Sequence, residues 1–225
     1  MMDSNLRDAP LFSALDETSA RALRDSMVEQ NLKKGDTLFQ ESEQGDQLYL
    51  ILDGKIKLSH TSSDGRESLF TVLGTGDMFG ELSVFDPGPR TSTAIAVTDA
   101  TVLGLSHKVL RPWLTQRPEV AQSLLQALAN RLRRNSETMS DLVFADVPGR
   151  VAKVLLQLNE KFGEDSLTGR QVSHDLTQEE IAQLVGASRE TVNKALADFV
   201  SRGWIRLETR AVHILDLERL QGRAK

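Results

Sequence analysis

The sequence predicts an α+β protein: an N-terminal antiparallel barrel or double-sheet roll, one long helix, and a C-terminal winged helix-turn-helix. Three observations carry this. Between Lys33 and Ser106, short apolar runs alternate with glycine-containing turn pairs. Beyond Pro118, apolar residues recur at three- and four-residue spacing over roughly 27 positions. Between Thr177 and Leu196, two short helical patterns meet at Gly186.

The chain opens with a short helical pattern, Thr18 to Glu29, and changes texture at Lys33-Lys34-Gly35-Asp36. Strands are expected at Thr37 to Phe39, Gln47 to Leu52, Lys55 to His60, Ser68 to Leu73, Thr93 to Val97 and Ala100 to Leu105. Turns fall at Gly35-Asp36, Gly45-Asp46, Asp53-Gly54, Asp64-Gly65 and Gly76-Asp77. Asp64-Gly65 between two apolar runs is a strong hairpin signal.

From Ser106 the pattern is helical, with a break expected over Pro112 to Arg117. Pro118 then suits the first turn of the long helix, where a missing N–H does no harm. Its stripe runs Val120, Leu124, Leu128, Leu132, Asn135, Met139 and Leu142. A stripe of that length needs a partner, and a second copy of the helix suits it better than the β-domain does. Asn135 then reads as a polar residue that fixes register. Asp146 caps the next helix with Pro148 in its first turn, which sets the domains at 1–117, 118–145 and 146–225. After this boundary a helix (Gly149 to Phe162), a polar loop, two short helices and a terminal hairpin are expected.

Thr177 followed by Glu180 forms a capping box. Small Ala182 admits a second helix, Gly186 supplies a positive φ, and Ser188 caps that second helix. Val192 and Leu196 pack it back on the first. In this layout the second helix enters the DNA major groove N-terminus first. It places Ser188, Arg189, Glu190, Thr191, Asn193 and Lys194 at or near the reading face. Arginine can pair with guanine O6 and N7, and glutamate can accept from the cytosine amine. Arg202, Arg206 and Arg210, around a two-stranded wing, suit phosphate contact and solvation equally well.

The composition excludes several rival classes. No cysteine is present, so disulfides, thiolate metal sites and a cysteine nucleophile are ruled out. The four histidines form no ligand-like pair, which argues against a cupin-type metal enzyme; a DNA-reading regulator makes and breaks no bond, so a protein that is not an enzyme is expected. A regulatory subunit without DNA binding is opposed by the helix-turn-helix. No apolar run reaches the roughly 18 residues needed to span a bilayer. With Asp3, Asp8 and Asp16 among its apolar residues the N-terminus is unlike a secretory leader, so a cytoplasmic protein without a membrane partner is expected. The net charge is −5, yet Asp146 to Lys225 holds 12 basic and 12 acidic residues and is neutral. That balance permits DNA binding by the second part.

A second constellation runs from Phe79 to Ala94. Gly80 opens a short helical turn with Glu81 and Leu82, a Pro/Gly loop follows, and Arg90-Thr91-Ser92 precedes a strand. Backbone N–H groups, an arginine fork and a hydroxyl can cradle an anion, and a carboxylate can accept from a sugar hydroxyl. By themselves the residues fit a structural Glu81–Arg90 ion pair at least as well.

Together these segments resemble the cAMP receptor protein branch of the CRP/FNR regulators over essentially the whole chain. Gly80-Glu81-Leu82 through Arg90-Thr91 is similar to that family's phosphate-binding cassette, and Arg189-Glu190-Thr191-Val192 to its recognition helix. Phe79 to Thr91 and Val147 to Ala152 are especially similar to actinobacterial members, and the lack of cysteine separates the chain from iron–sulfur relatives. The resemblance implies a cyclic-nucleotide-binding β-roll with cAMP as effector and no metal. It assigns the ribose 2′-hydroxyl to Glu81, the cyclic phosphate to Arg90 and Thr91, backbone contacts to the region of Gly80 and Leu82, and the adenine to Asn135 and Ser136. Asn135 replaces the family's usual threonine but still offers both a donor and an acceptor. Ser136 would reach the ligand of the other subunit. The implied partners are double-stranded DNA with TGTGA-like palindromic half-sites, a second subunit through the 118–145 helix, and RNA polymerase. Asn193-Lys194 departs from a common Gly-Arg, and lysine lacks the bidentate fork. A cyclic dinucleotide effector and ligand-independent DNA binding are the alternatives. The expected mechanism is allosteric, with ligand setting the two recognition helices about 34 Å apart, one DNA turn.

Overall fold

One strand shows how the roll is assembled. In the computed structural model, which describes residues 9–62, 65, 67–86, 88–167 and 169–225, β4 (Gln47–Asp53) is buried on both faces. Leu48 and Leu50 join Leu103, Leu105, Leu110, Val120 and Leu124 in one cluster, while Tyr49 and Ile51 join Phe39, Ile56, Phe79 and Val102 in another. Successive strand residues point to opposite faces, so a strand covered on both sides must read as a continuous apolar run, as Leu48 to Leu52 does. Asp3, Asp8, Asp64 and Pro87, used in the sequence reading, lie outside the described residues.

Contacts divide the chain into two units, Met1–His60 with Thr71–Arg134, and Thr61–Phe70 with Asn135–Lys225. The elements up to the long helix run α1 (Glu17–Asp25), β1 (Val28–Leu32), β2 (Thr37–Phe39), β3 (Gln44–Gly45), β4, β5 (Ile56–Thr61) and β6 (Glu67–Leu73). They continue with β7 (Met78–Phe79), α2 (Leu82–Phe85), β8 (Gly88–Pro89), β9 (Thr93–Ala96), β10 (Ala100–Ser106), α3 (His107–Gln116) and α4 (Pro118–Phe144). The strands form sheets of order β1-β10-β4-β7 and β2-β9-β5-β6 with a small β3-β8 pair, the double-sheet roll that the sequence predicts.

Three local expectations are corrected. The first helix stops at Asp25, capped at its start by Asp16 accepting from the Ser19 amide at 2.9 Å, and Val28–Leu32 is a strand instead. Five residue pairs with β10 outweigh the weak helical pattern there. Pro112 does not break α3; the chain turns at Arg117, which has φ −133° and ψ 80° because the following Pro118 disfavours helical backbone before it. Gly45, expected in a turn, pairs with Gly88 across β3 and β8. On α4 only Val120 and Leu124 of the stripe are buried, while Leu132, Met139 and Leu142 are more than half exposed.

After α4 come α5 (Val147–Phe162), β11 (Gly163–Ser166), β12 (Gly169–Ser173), α6 (Gln178–Val185), α7 (Arg189–Ser201), β13 (Ile205–Glu208), β14 (Ala211–Ile214) and α8 (Leu217–Arg223). The expected polar loop is a hairpin, because β12 also pairs with β14 some 40 positions away and buries Val172 there. Helix α8, not foreseen, is capped by Asp216 and buries Leu220 completely. The helical core of this unit is Val151, Ala152, Leu155, Val192, Leu196 and Phe199, with Phe199 stacked on Trp204 at 5.4 Å.

Candidate functional site

In the roll, the segment between β7 and β9 folds inward. Gly80 has φ +75°, a backbone that glycine adopts without steric cost, and this turn sends Glu81 into the interior. Glu81 is 2% exposed and Arg90 6% exposed. The structure brings Gly80 and Arg90 into contact, with Nη1 of Arg90 donating to the Gly80 carbonyl at 3.0 Å and to the Gln47 carbonyl at 2.8 Å. A Cβ on Gly80 would stand 2.8 Å from that same nitrogen, so the close approach also requires glycine. Leu82 starts α2 but is half exposed, and Thr91 is exposed beside Arg90. Helix α2 is only four residues long, so the guanidinium and not a helix dipole dominates the electrostatics.

The alternative reading of these residues, a Glu81–Arg90 ion pair, is not what the structure shows. Glu81 instead accepts from Nη1 of Arg131 on α4 at 2.8 Å. Its second oxygen, Oε2, is buried without a hydrogen-bond partner. Leaving a buried acceptor unsatisfied costs about 1–3 kcal/mol, and such a cost is expected at sites shaped for another molecule. Burial pulls the Arg90 guanidinium below its ordinary value, opposed by nearby Tyr49, Asp46 and Glu43. Burial pushes the Tyr49 phenol up, opposed by Arg90. Arginine remains charged through such a shift.

Arg131, Tyr49 and Gln47 are missed by the sequence reading. Arg131 and Glu81 are 50 positions apart, and a basic residue on an exposed helix carries no local signal. Asn135 and Ser136 lie one turn further along α4, both exposed, and belong to the second unit.

In that unit the helix-turn-helix has the local chemistry that the sequence predicts. Thr177 and Glu180 form the reciprocal capping box, Gly186 has φ +67°, and Ser188 caps α7 by accepting from the Thr191 amide at 3.2 Å. Arg150 on α5 supports the turn, donating to the carbonyls of Val185 at 2.9 Å, Gly186 at 3.2 Å and Ala145 at 2.8 Å. Ser188, Arg189, Glu190, Thr191 and Lys194 are all exposed on the first turns of α7. Lys194 donates to Glu190 at 2.7 Å, one helical turn apart. Asn193 is different: it is half-buried, and its Oδ1 is enclosed without a partner. Arg202 is engaged by Asp198 at 2.8 Å and by the Trp204 ring, and Arg206 by Glu208 at 3.5 Å. Arg210 sits at the wing turn with φ +59°.

Among the described residues no group of three or more histidine, cysteine or acidic side chains is placed to hold a metal, and no helix is long and apolar enough to cross a membrane. A β-roll with an enclosed, half-satisfied carboxylate, followed by a winged helix-turn-helix, defines the class: a sensor domain joined to a DNA reader. Residues 29–117 match the cyclic nucleotide-binding domain, and residues 149–223 match the Crp-like helix-turn-helix domain. The chain is 52% identical to a "CRP-like cAMP-activated global transcriptional regulator" of Mycobacterium tuberculosis, covering 100% of both chains. It is 53% identical to the N-terminal domain of a transcriptional regulator from Streptomyces coelicolor, covering 62% of this chain and 97% of that one with a TM-score of 0.51. FixK2 from Bradyrhizobium japonicum, at 22% identity, shares the fold over 88% of this chain and 98% of its own with a TM-score of 0.79. The chain therefore belongs to the CRP/FNR family of DNA-binding transcription regulators, and it is not an enzyme.

Proposed function

We propose that this protein is a cAMP-activated transcription regulator that binds palindromic TGTGA-like DNA as a homodimer. The observation that carries the effector reading is Glu81 Oε2, an acceptor enclosed in the roll with no donor of the protein's own. A ribose 2′-hydroxyl is a donor of the right kind, and the buried Arg90 guanidinium supplies the positive charge that a cyclic phosphate needs. Thr91 adds a hydroxyl, and Gly80 and Leu82 add backbone groups. The similarity of this chain to a cAMP-activated relative supports cAMP over other ligands of the same shape. Asn135 and Ser136 are the proposed adenine contacts, on resemblance and on their donor and acceptor chemistry.

The working division is a sensor over 1–117, a dimerisation helix over 118–145 and a reader over 146–225. Exposed Leu125, Leu132 and Met139, spaced by seven, form a seam suited to a second copy of α4. A two-fold dimer matches a palindrome. Arg189 and Glu190 are the base readers; Ser188, Thr191 and Lys194 contact phosphate or assist them, and half-buried Asn193 shapes the helix face. Ligand binding and DNA binding are linked as a coupling free energy, which makes the effect reciprocal. RNA polymerase is the further partner, because promoter occupancy acts on transcription through it, and the cytoplasm is the compartment where all these partners meet.

The test is a titration of the full-length protein into a fluorescent TGTGA-N6-TCACA duplex and a scrambled duplex at fixed salt, with and without cAMP. Binding to the palindrome that strengthens at least tenfold with cAMP, while the scramble does not, is the expected result. Equal specific binding in both conditions overturns cAMP gating, and no preference for the palindrome overturns the assignment of Arg189 and Glu190.

A further inference from the structure

The side chain of Arg90 is held more firmly than anion binding by itself requires. Its guanidinium carbon lies 4.2 Å from the centre of the Phe39 ring and 5.6 Å from that of Tyr49. These two rings stack at 5.8 Å, and Phe79 continues the stack at 5.5 Å from Tyr49. All three aromatics are at least nine-tenths buried. Backbone also approaches it closely: a Cβ at Gly45 would collide with Arg90 Nε, and one at Gly80 with Nη1. Nη1 is committed to the carbonyls of Gln47 and Gly80. The main chain of Arg90 is fixed as well, donating to the Glu43 carbonyl at 2.7 Å and accepting from the Ser42 amide at 2.9 Å.

We propose that Phe39 and Tyr49 are positioning residues for phosphate recognition: they form an aromatic shelf that fixes the plane of the Arg90 fork before ligand arrives. The inference rests on the cyclic-nucleotide reading of the same site and adds residues outside its cassette. Its physical basis is preorganisation. An arginine free in solution loses rotamer freedom when it clamps an anion, and here folding has already removed that freedom. A flat guanidinium over a ring face also keeps its charge in a site that would otherwise penalise it through burial. The shelf therefore contributes to phosphate-specific affinity, through the direction in which the remaining N–H groups point.

The experiment uses full-length Phe39→Leu, Tyr49→Leu, Arg90→Lys and the Phe39→Leu/Arg90→Lys double variant, each checked by thermal unfolding. Calorimetry measures binding of cAMP and of its two phosphorothioate diastereomers, which differ only in which exocyclic oxygen is sulfur. Phe39→Leu keeps an apolar side chain without a π face and should weaken cAMP about 3- to 10-fold, the equivalent of ordering one long side chain. The affinity ratio between the diastereomers should move toward one. Tyr49→Leu, which removes the second ring of the shelf, should weaken cAMP about twofold to fourfold and move the ratio in the same direction, a smaller effect because its ring lies further from the guanidinium. With Arg90→Lys, which has no planar fork, Phe39→Leu should add less than twofold.

A lowered melting temperature with unchanged affinity and diastereomer ratio would mean ordinary core packing and overturn the proposal, as would independent, multiplying effects of Phe39→Leu and Arg90→Lys. If Phe39→Leu does not fold, Tyr49→Leu decides: unaltered affinity and ratio overturn it. A wild-type protein that binds no cAMP overturns both this inference and the effector reading, whereas normal wild-type binding with unaffected variants overturns this inference alone.

Discussion

Replacing Arg131 by methionine should destabilise the roll by about 2 kcal/mol. The carboxylate of Glu81 is 3% exposed and has one described hydrogen-bonding partner, Arg131 Nη1 at 2.8 Å. Without it, both carboxylate oxygens face the interior unpaired, because Oε2 already lacks a donor. Breaking a fully buried pair by removing one member costs about 3–5 kcal/mol. The Arg131 side chain is 38% exposed, so solvent already screens part of the interaction and brings the cost below that range, to about 2 kcal/mol. Glu81→Gln removes the charge and should cost less, about 1 kcal/mol. The double variant should then be more stable than the two losses added together predict, by at least about 1 kcal/mol, because neither charge is left stranded. The assay is urea unfolding followed by tryptophan fluorescence in a Trp204→Phe background. The remaining indole, Trp113, packs partly buried on the core of the roll and reports that unit. A loss under about 0.5 kcal/mol for Arg131→Met, or strict additivity in the cycle, would refute the reasoning and mean that water or another donor satisfies Glu81.

Arg189→Ala should weaken binding to the palindromic duplex about 5- to 150-fold, the worth of a bidentate guanine contact, and leave binding to a scrambled duplex within a few fold, as competition binding at constant salt will show. The Arg223 guanidinium, at 2.5 Å, and then the Gly149 amide hold the Asp146 carboxyl below the usual carboxylate range. A depressed folded-state value contributes stability that is complete above the unfolded value and disappears as pH falls through the folded one. Arg223→Met should therefore lower stability at pH 7, flatten the acid limb of a stability–pH curve below about pH 4, and converge with the unsubstituted protein at the acid end, as urea unfolding across pH will show. Leu132→Asp places a charge on the exposed seam of α4 and should shift the protein to monomer in analytical ultracentrifugation, with palindrome affinity falling at least tenfold; an unchanged dimer would place the interface elsewhere.

Much of the reader was legible because its chemistry is local. Thr177 and Glu180, or Ser188 and Thr191, satisfy each other across three residues, and Gly186 needs its positive φ whatever surrounds it. Strands β4 and β10 were equally readable, since their burial on two faces writes a continuous apolar run. What failed locally failed for one reason. Val28–Leu32 and Gly169–Ser173 are strands only because β10 and β14 offer distant ladders, and a weak intrinsic preference gives way to paired backbone. Helix α8 is stabilised by burying Leu220, which a seven-residue helix does not achieve alone.

The site divides in the same way. The sequence by itself singled out Gly80-Glu81-Leu82 with Arg90-Thr91 and the helix that follows Ser188 as candidates, and determined the family, since these are contiguous motifs. Only the tertiary structure decided whom the charges meet. It paired Glu81 with Arg131 and not with Arg90, laid Arg90 on Phe39 and Tyr49, enclosed one Glu81 oxygen without a donor, and turned Asn193 partly inward. A buried charge takes its partner from whatever the packed core brings within about 3 Å, and separations of 40 to 50 residues along the chain leave no periodicity from which that choice can be read.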